Sequence, residues 1–125
     1  MLQIRNYIDG KLIEPTKNNW LPNMEPATGK QYAQIPDSDE EDIALATQAA
    51  QAAFPAWSTT PAKERSAILD RISQLIEKKL DFLAAAESKD NGKPLSLARE
   101  VDIPRARDNF HFFATAILHF ASEAH

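Results

Sequence analysis

Few side chains in this sequence could do chemistry, and their spacing excludes most of it. His111, His119 and His125 are the only histidines. On a helix the eight-residue step from His111 to His119 separates them by about 80° and two turns, too far to share a metal ion or an acid–base couple. Their arc also holds Asp108, Thr115 and Ser122, and it reads as a solvated or partner-facing surface. The acidic run Asp37 to Asp42 invites a cation, yet carboxylates at a helix start are explained more simply by capping and by the positive end of the helix dipole. Arg105 is harder to dismiss. It falls in the first turn of a helix, where a positive charge opposes the dipole, and it projects toward the directions of Phe112 and Ala116. A planar guanidinium in such surroundings suits bidentate capture of a carboxylate, either on a substrate or on an internal Asp or Glu. Spacing alone leaves both uses open, with the internal ion pair the commoner. The chain has no cysteine, so it carries no disulfide, no thiolate metal site and no thiol nucleophile.

Elements that would position these groups change character along the chain. Tyr7-Ile8-Asp9-Gly10-Lys11-Leu12-Ile13 sets Asp-Gly between apolar residues, the signature of a two-stranded hairpin with a type I′ turn. Pro26-Ala27-Thr28-Gly29 is a turn, followed by a strand from Gln31 to Ile35. Trp20 and Trp57 fall in turn regions as packing anchors. From Ser38 the pattern is helical: Ser38 and Glu41 form a capping box, Ile43, Ala46, Ala50, Ala53 and Phe54 follow the 3.6-residue period, and Pro55 ends the run. A second helix opens at Pro61, carries Ile68, Leu69, Ile72, Leu75, Ile76, Leu80 and Leu83 on one stripe, and bends near Leu80 to Phe82. Glu87-Ser88-Lys89-Asp90-Asn91-Gly92-Lys93-Pro94 closes it, with Gly92 in the left-handed conformation and Pro94 preventing continuation. That run has one glycine where a phosphate cradle needs several. A short helical piece follows, then a break at Asp102-Ile103-Pro104 with Asp102 as cap, and a last helix to about Ser122. Roughly two thirds of its circumference is apolar, so it expects partners on two sides: the protein oligomerises, or this is the front of a longer one.

Composition narrows the function classes. The 125 residues are 43% hydrophobic and 26% charged, with a net charge of -4, as expected of a single ordered domain without a basic surface for nucleic acid. No stretch approaches the roughly 20 apolar residues of a membrane span, and the start lacks a secretory core, so neither membrane nor export is expected and the cytoplasm is the default.

Tyr7-Ile8-Asp9-Gly10, Pro26-Ala27-Thr28-Gly29, Ala49 to Trp57, Glu64-Arg65, Glu87 to Pro94 and Asn109-Phe110-His111-Phe112-Phe113-Ala114, in this order and spacing, resemble the N-terminal part of the aldehyde dehydrogenase superfamily. Ala86 to Asp90, Leu97-Ala98-Arg99 and Asp102-Ile103-Pro104-Arg105 look most like its 2-aminomuconic or 2-hydroxymuconic semialdehyde branch. The resemblance implies a mainly α segment with a small β-ribbon, residues 1–36 being ribbon and turns and 38–125 helices, as the N-terminal portion of an α/β fold flanking a dinucleotide-binding domain. It also implies NAD- or NADP-dependent oxidation of an aldehyde to an acid. The nucleophilic cysteine, the glutamate that activates water and the dinucleotide fold would all lie outside this segment, which is not catalytic alone. Arg105 would bind the substrate carboxylate and Val101 would line the substrate tunnel, with Phe112 and Phe113 nearby. A structural monovalent cation would take Asp90 and the backbone carbonyl of Met24, although Glu25 stands where the family usually has Asn. The expected partners are the rest of such a chain or a homo-oligomer, and a small aldehyde. An alternative from another class is a catalytically silent helical module that docks through its C-terminal helix.

Overall fold

The computed structural model describes residues 1–121, so Ser122 and His125, the expected end of the last helix and the third histidine, lie outside the described residues. Two compact units divide between Thr59 and Thr60. The change from strands to helices comes earlier, between Pro36 and Glu40.

In the first unit, β2 (Asn6–Ile8) and β3 (Lys11–Ile13) form the expected antiparallel hairpin, pairing Ile8 with Lys11. Its turn has φ 51° at Asp9 and 74° at Gly10, the pair of positive values a type I′ turn demands. A separate three-stranded sheet runs in the order β1 (Leu2–Gln3), β5 (Lys30–Pro36), β4 (Trp20–Glu25). β1 is parallel to β5 and β4 antiparallel, with a bulge between Asn23 and Met24. Pro22 is tolerated because β4 is an edge strand. The β4–β5 turn is the Pro26 to Gly29 motif, closed by Gly29 N–H donating to the Glu25 carbonyl at 2.9 Å with Gly29 at φ 67°. Trp20 therefore opens a strand rather than lying in a turn, and its indole N–H donates to Asn18 Oδ1 at 2.8 Å.

Helix α1 (Glu40–Thr59) completes this unit and departs from expectation at both ends. The capping box is shifted by one residue. Asp39 Oδ1 accepts the Glu41 N–H at 2.9 Å, Asp42 Oδ2 accepts the Asp39 N–H at 3.3 Å, and Ser38 Oγ instead accepts from Asn6 Nδ2 at 2.8 Å. Asp42 Oδ1 also takes the N–H and hydroxyl of Thr16, at 2.9 and 2.7 Å, so one carboxylate ties the β3–β4 connection to the helix start. At the other end the helix runs through Pro55, which places Trp57 on a helix. The proline removes one donor and crowds the carbonyl four residues back, but Gln51 is exposed and water can serve that carbonyl. The Thr59 hydroxyl bonds the carbonyls of Pro55 and Ala56 at 3.0 and 3.1 Å.

The second unit is built on α2 (Ala62–Lys78) and α5 (Ile103–Ala116). Ser66 bonds Ala114, Asp70 approaches His111 and Glu77 pairs with Arg107, so the two helices run antiparallel. Buried Ser66 and Ser73 lie seven residues apart on α2, on one face, and their small side chains permit close approach. The expected bend occurs at Lys79, where φ is -106°, and α3 (Leu80–Asn91) ends as expected at Gly92 with φ 79°. The expected break at Asp102 is absent. Helix α4 (Leu95–Leu97) passes through a π-turn (Ala98–Asp102) directly into α5. Asp102 is helical, at φ -68° and ψ -50°, and caps nothing. The widened turn, closed by the Ile103 N–H to the Ala98 carbonyl, accommodates Pro104, which would otherwise strain a regular α-helix here. α5 itself stops at Ala116, short of Ser122.

Among the described residues the buried hydrophobic ones are Ala33, Ala84, Ala98 and Ala114, and no large side chain is fully buried. On α5, Phe112 and Phe113 are 61% and 60% exposed and meet edge to face, with ring centroids 5.2 Å apart.

Candidate functional site

The residues singled out for binding cluster where α3 hands over to α5. Gly92 turns the chain out of α3, and Lys93 is then fixed from three directions. Its N–H donates to Asn91 Oδ1 at 2.8 Å, its carbonyl accepts the Ser88 hydroxyl at 2.6 Å, and its ammonium reaches Asp102 Oδ2 at 2.9 Å. A second tie, Arg99 to Asp81 at 2.6 Å, holds the other end of the π-turn to the start of α3. Between the two ties, Ala98 packs without exposure, as does Ala84 on α3. The π-turn is thus tied to α3 by the Arg99–Asp81 ion pair and to the connection after Gly92 by the Lys93–Asp102 pair.

Val101 lies in this turn, 41% exposed, and Arg105 follows in the first turn of α5, also exposed. Among the described residues no carboxylate pairs with Arg105. Its neighbours differ. Arg107 bonds Asp108 at 2.7 Å and also pairs with Glu77, and these carboxylates, Asp108 foremost, raise its pKa. Arg107 in turn holds the Asp108 carboxyl below its ordinary value. Arg99 is likewise raised by the hydrogen bond to Asp81. Phe112, seven residues beyond Arg105, returns to nearly the same helix direction, which sets an exposed aromatic in line with the guanidinium.

Asp90 is exposed in the last turn of α3, in the second unit, while Met24 belongs to β4 in the first. Among the described residues no group of three or more His, Cys, Asp or Glu side chains is arranged to hold a metal. His111 Nδ1 lies 3.3 Å from Asp70 Oδ1 on an exposed surface, and His119 follows the end of α5. The acidic run serves the start of α1. Lys17 lies 2.5 Å from Asp39 and holds that carboxyl below its usual range, while the two Thr16 hydrogen bonds do the same for Asp42. An apolar trough of about 580 Å³ runs between α2 and α5, lined by Leu69, Phe113, Ile117 and Phe120 among others. No helix among the described residues is long and apolar enough to cross a membrane.

Sequence reasoning isolated Arg105 and Val101 but missed the Lys93–Asp102 pair that flanks them. Asp102 read as a cap because Asp precedes Ile-Pro, a pattern shared by caps and by π-turns that accommodate a proline.

Comparison with known proteins gives this geometry a setting. The model of the aldehyde dehydrogenase family matches residues 12–125. A bovine (Bos taurus) 2-aminomuconic semialdehyde dehydrogenase is 47% identical over 98% of this chain and 25% of its own length. Among solved structures, PnpE in complex with nicotinamide adenine dinucleotide superposes with a TM-score of 0.89 at 32% identity, covering 91% of this chain and 23% of that one. Apo indole-3-acetaldehyde dehydrogenase reaches 0.94 at 27% identity, over 98% of this chain and 29% of its own. The chain spans about a quarter of the length of the relatives it matches.

Proposed function

Because this chain belongs to the aldehyde dehydrogenase family, we propose that it is the N-terminal segment of an enzyme that oxidises a carboxylate-bearing semialdehyde to the corresponding acid, with Arg105 receiving the substrate carboxylate and Val101 beside it in the substrate tunnel. The observation that carries this reading is an exposed guanidinium without a carboxylate partner among the described residues, on a helix whose other arginine is fully engaged. A free guanidinium offers two parallel N–H donors in the geometry a carboxylate accepts.

The reaction needs groups that this segment does not contain. Without a cysteine it has no thiol to attack the aldehyde carbon. NAD or NADP serves as hydride acceptor when bound, but the residues here do not fit it. The three glycines, Gly10, Gly29 and Gly92, close a hairpin, a turn and a helix, and none is left to cradle a pyrophosphate. Cysteine, general base and dinucleotide site would come from the remaining three quarters of a chain like those of the relatives.

The test is Arg105→Ala in the full-length enzyme. Losing a charge-assisted carboxylate contact should lower kcat/KM for 2-hydroxymuconic semialdehyde about 10- to 100-fold. Hexanal, which has no carboxylate, should be turned over nearly as before. Equal losses on both aldehydes would return Arg105 to a structural role. The uncovered aromatic face of α5 favours the second reading, a silent docking module, and an encoding frame that stops after His125 would decide for it.

A further inference from the structure

A helical arginine is ordinarily neutralised by acidic residues three or four positions away, and Arg105 has one on each side, Asp102 at i−3 and Asp108 at i+3. The helical conformation at Asp102 puts it within reach, since the π-turn continues into α5 without a break. Neither carboxylate pairs with Arg105. Asp102 Oδ2 is held by Lys93 at 2.9 Å and Asp108 Oδ1 by Arg107 at 2.7 Å. The two remaining helical neighbours, Val101 and Asn109, carry no charge.

We infer that Lys93 is a positioning residue for substrate recognition: by sequestering Asp102 it keeps the Arg105 guanidinium free for a carboxylate that comes from outside the helix. Arg107 does the same for Asp108, with Glu77 fixing it in place. Lys93 is well made for this task. Its backbone is pinned at both the N–H and the carbonyl, so its side chain starts from a set position just past Gly92 and spans to Asp102 nine residues on. A flexible lysine elsewhere on the surface would compete poorly with a neighbour three residues away, because it would have to lose more side-chain freedom to make the same contact. This inference rests on the carboxylate-binding reading of Arg105 and deepens it.

The pattern of variants separates guarding from mere support of the fold. In the full-length enzyme, Lys93→Met releases Asp102 to pair with Arg105. KM for 2-hydroxymuconic semialdehyde should rise about two- to fivefold, the span of exposed ion-pair strengths, while kcat and the hexanal kinetics stay put. Asp102→Asn alone should leave KM near wild type, and in the Lys93→Met background it should restore it, because the competing charge is gone. Lys93→Arg should behave as wild type. An unchanged KM in Lys93→Met overturns the inference, and so does equal impairment of Lys93→Met, Asp102→Asn and the double variant, which would mean that the ion pair serves only to hold the turn. The crystal structure of the Lys93→Met enzyme decides independently of turnover, since Asp102 must swing to Arg105. If Arg105→Ala fails to discriminate between the two aldehydes, the substrate reading falls by itself, and that structure still judges whether Lys93 guards Arg105.

Discussion

Replacing Ser66 by alanine should loosen the C-terminal turn of α5, and the size of the effect follows from a count of carbonyls. The last four carbonyls of a helix have no partner within it and must find one elsewhere. Here Phe113 receives the N–H of Ile117 at 3.2 Å, Thr115 that of Leu118 at 3.2 Å and Ala116 that of His119 at 3.1 Å. Ala114 alone is left over, and the Ser66 hydroxyl of α2 reaches it at 2.7 Å. Because Ala114 is 2% exposed, water cannot take over. An orphaned buried carbonyl costs about 1–3 kcal/mol. Alanine's better helix propensity returns about 0.5 kcal/mol of this. The net destabilisation of the second unit is then about 0.5–2.5 kcal/mol. Ser73 is the internal control. It is 6% exposed on the same face of α2, and no hydrogen bond engages its hydroxyl among the described residues, so Ser73→Ala should be neutral or slightly stabilising. Urea unfolding of both variants, with amide exchange of Leu118 and His119 as the local probe, measures the contrast. If Ser66→Ala costs no more than Ser73→Ala, this account of the α2–α5 seam is wrong.

Other expectations can be checked on the same material. Gly92→Ala forces a side chain into φ 79° at the end of α3 and should lower stability by about 1 kcal/mol or more in urea unfolding, with Gly92→Asn milder. Asp42, whose hydrogen bonds from Thr16 hold its folded pKa below the ordinary 3.8, contributes stability that is fully present above that value and is lost as pH falls through the folded pKa. Thermal melts of the wild type should therefore drop on acidification below about pH 4. The Asp42→Asn variant should start lower and show a flatter acid limb in the same melts.

Much of this architecture could be read from residues that act locally. Asp9-Gly10, Pro26 to Gly29 and Gly92 each dictate a backbone conformation by themselves, and each adopts it. Readings that failed required knowledge of surroundings. Pro55 reads as a helix stop by residue type alone, but an exposed helix can leave the affected carbonyl to water, and α1 continues through it. Ser38 and Asp39 are both good caps, and the choice went to Asp39 while Asn6, distant in sequence, engaged Ser38. β1 is two residues long and takes its identity from β5, so no periodicity could announce it. The candidate site divides the same way. Arg105 stood out as a charge opposed to a helix dipole, whereas Lys93 and Asp102 meet only after the chain has turned at Gly92 and passed through α4.

An interior made of alanines changes how this segment must be probed by mutation. Ala33, Ala84, Ala98 and Ala114 are its buried hydrophobic residues among those described, and an alanine scan skips all four. Such a scan would register caps and ion pairs and return a map in which the interior appears unimportant. Enlargement is the informative perturbation: Ala98→Val or Ala84→Leu adds methyl groups where helix meets π-turn with no free surface to receive them. A leucine scan, not an alanine scan, would outline the packing of this chain.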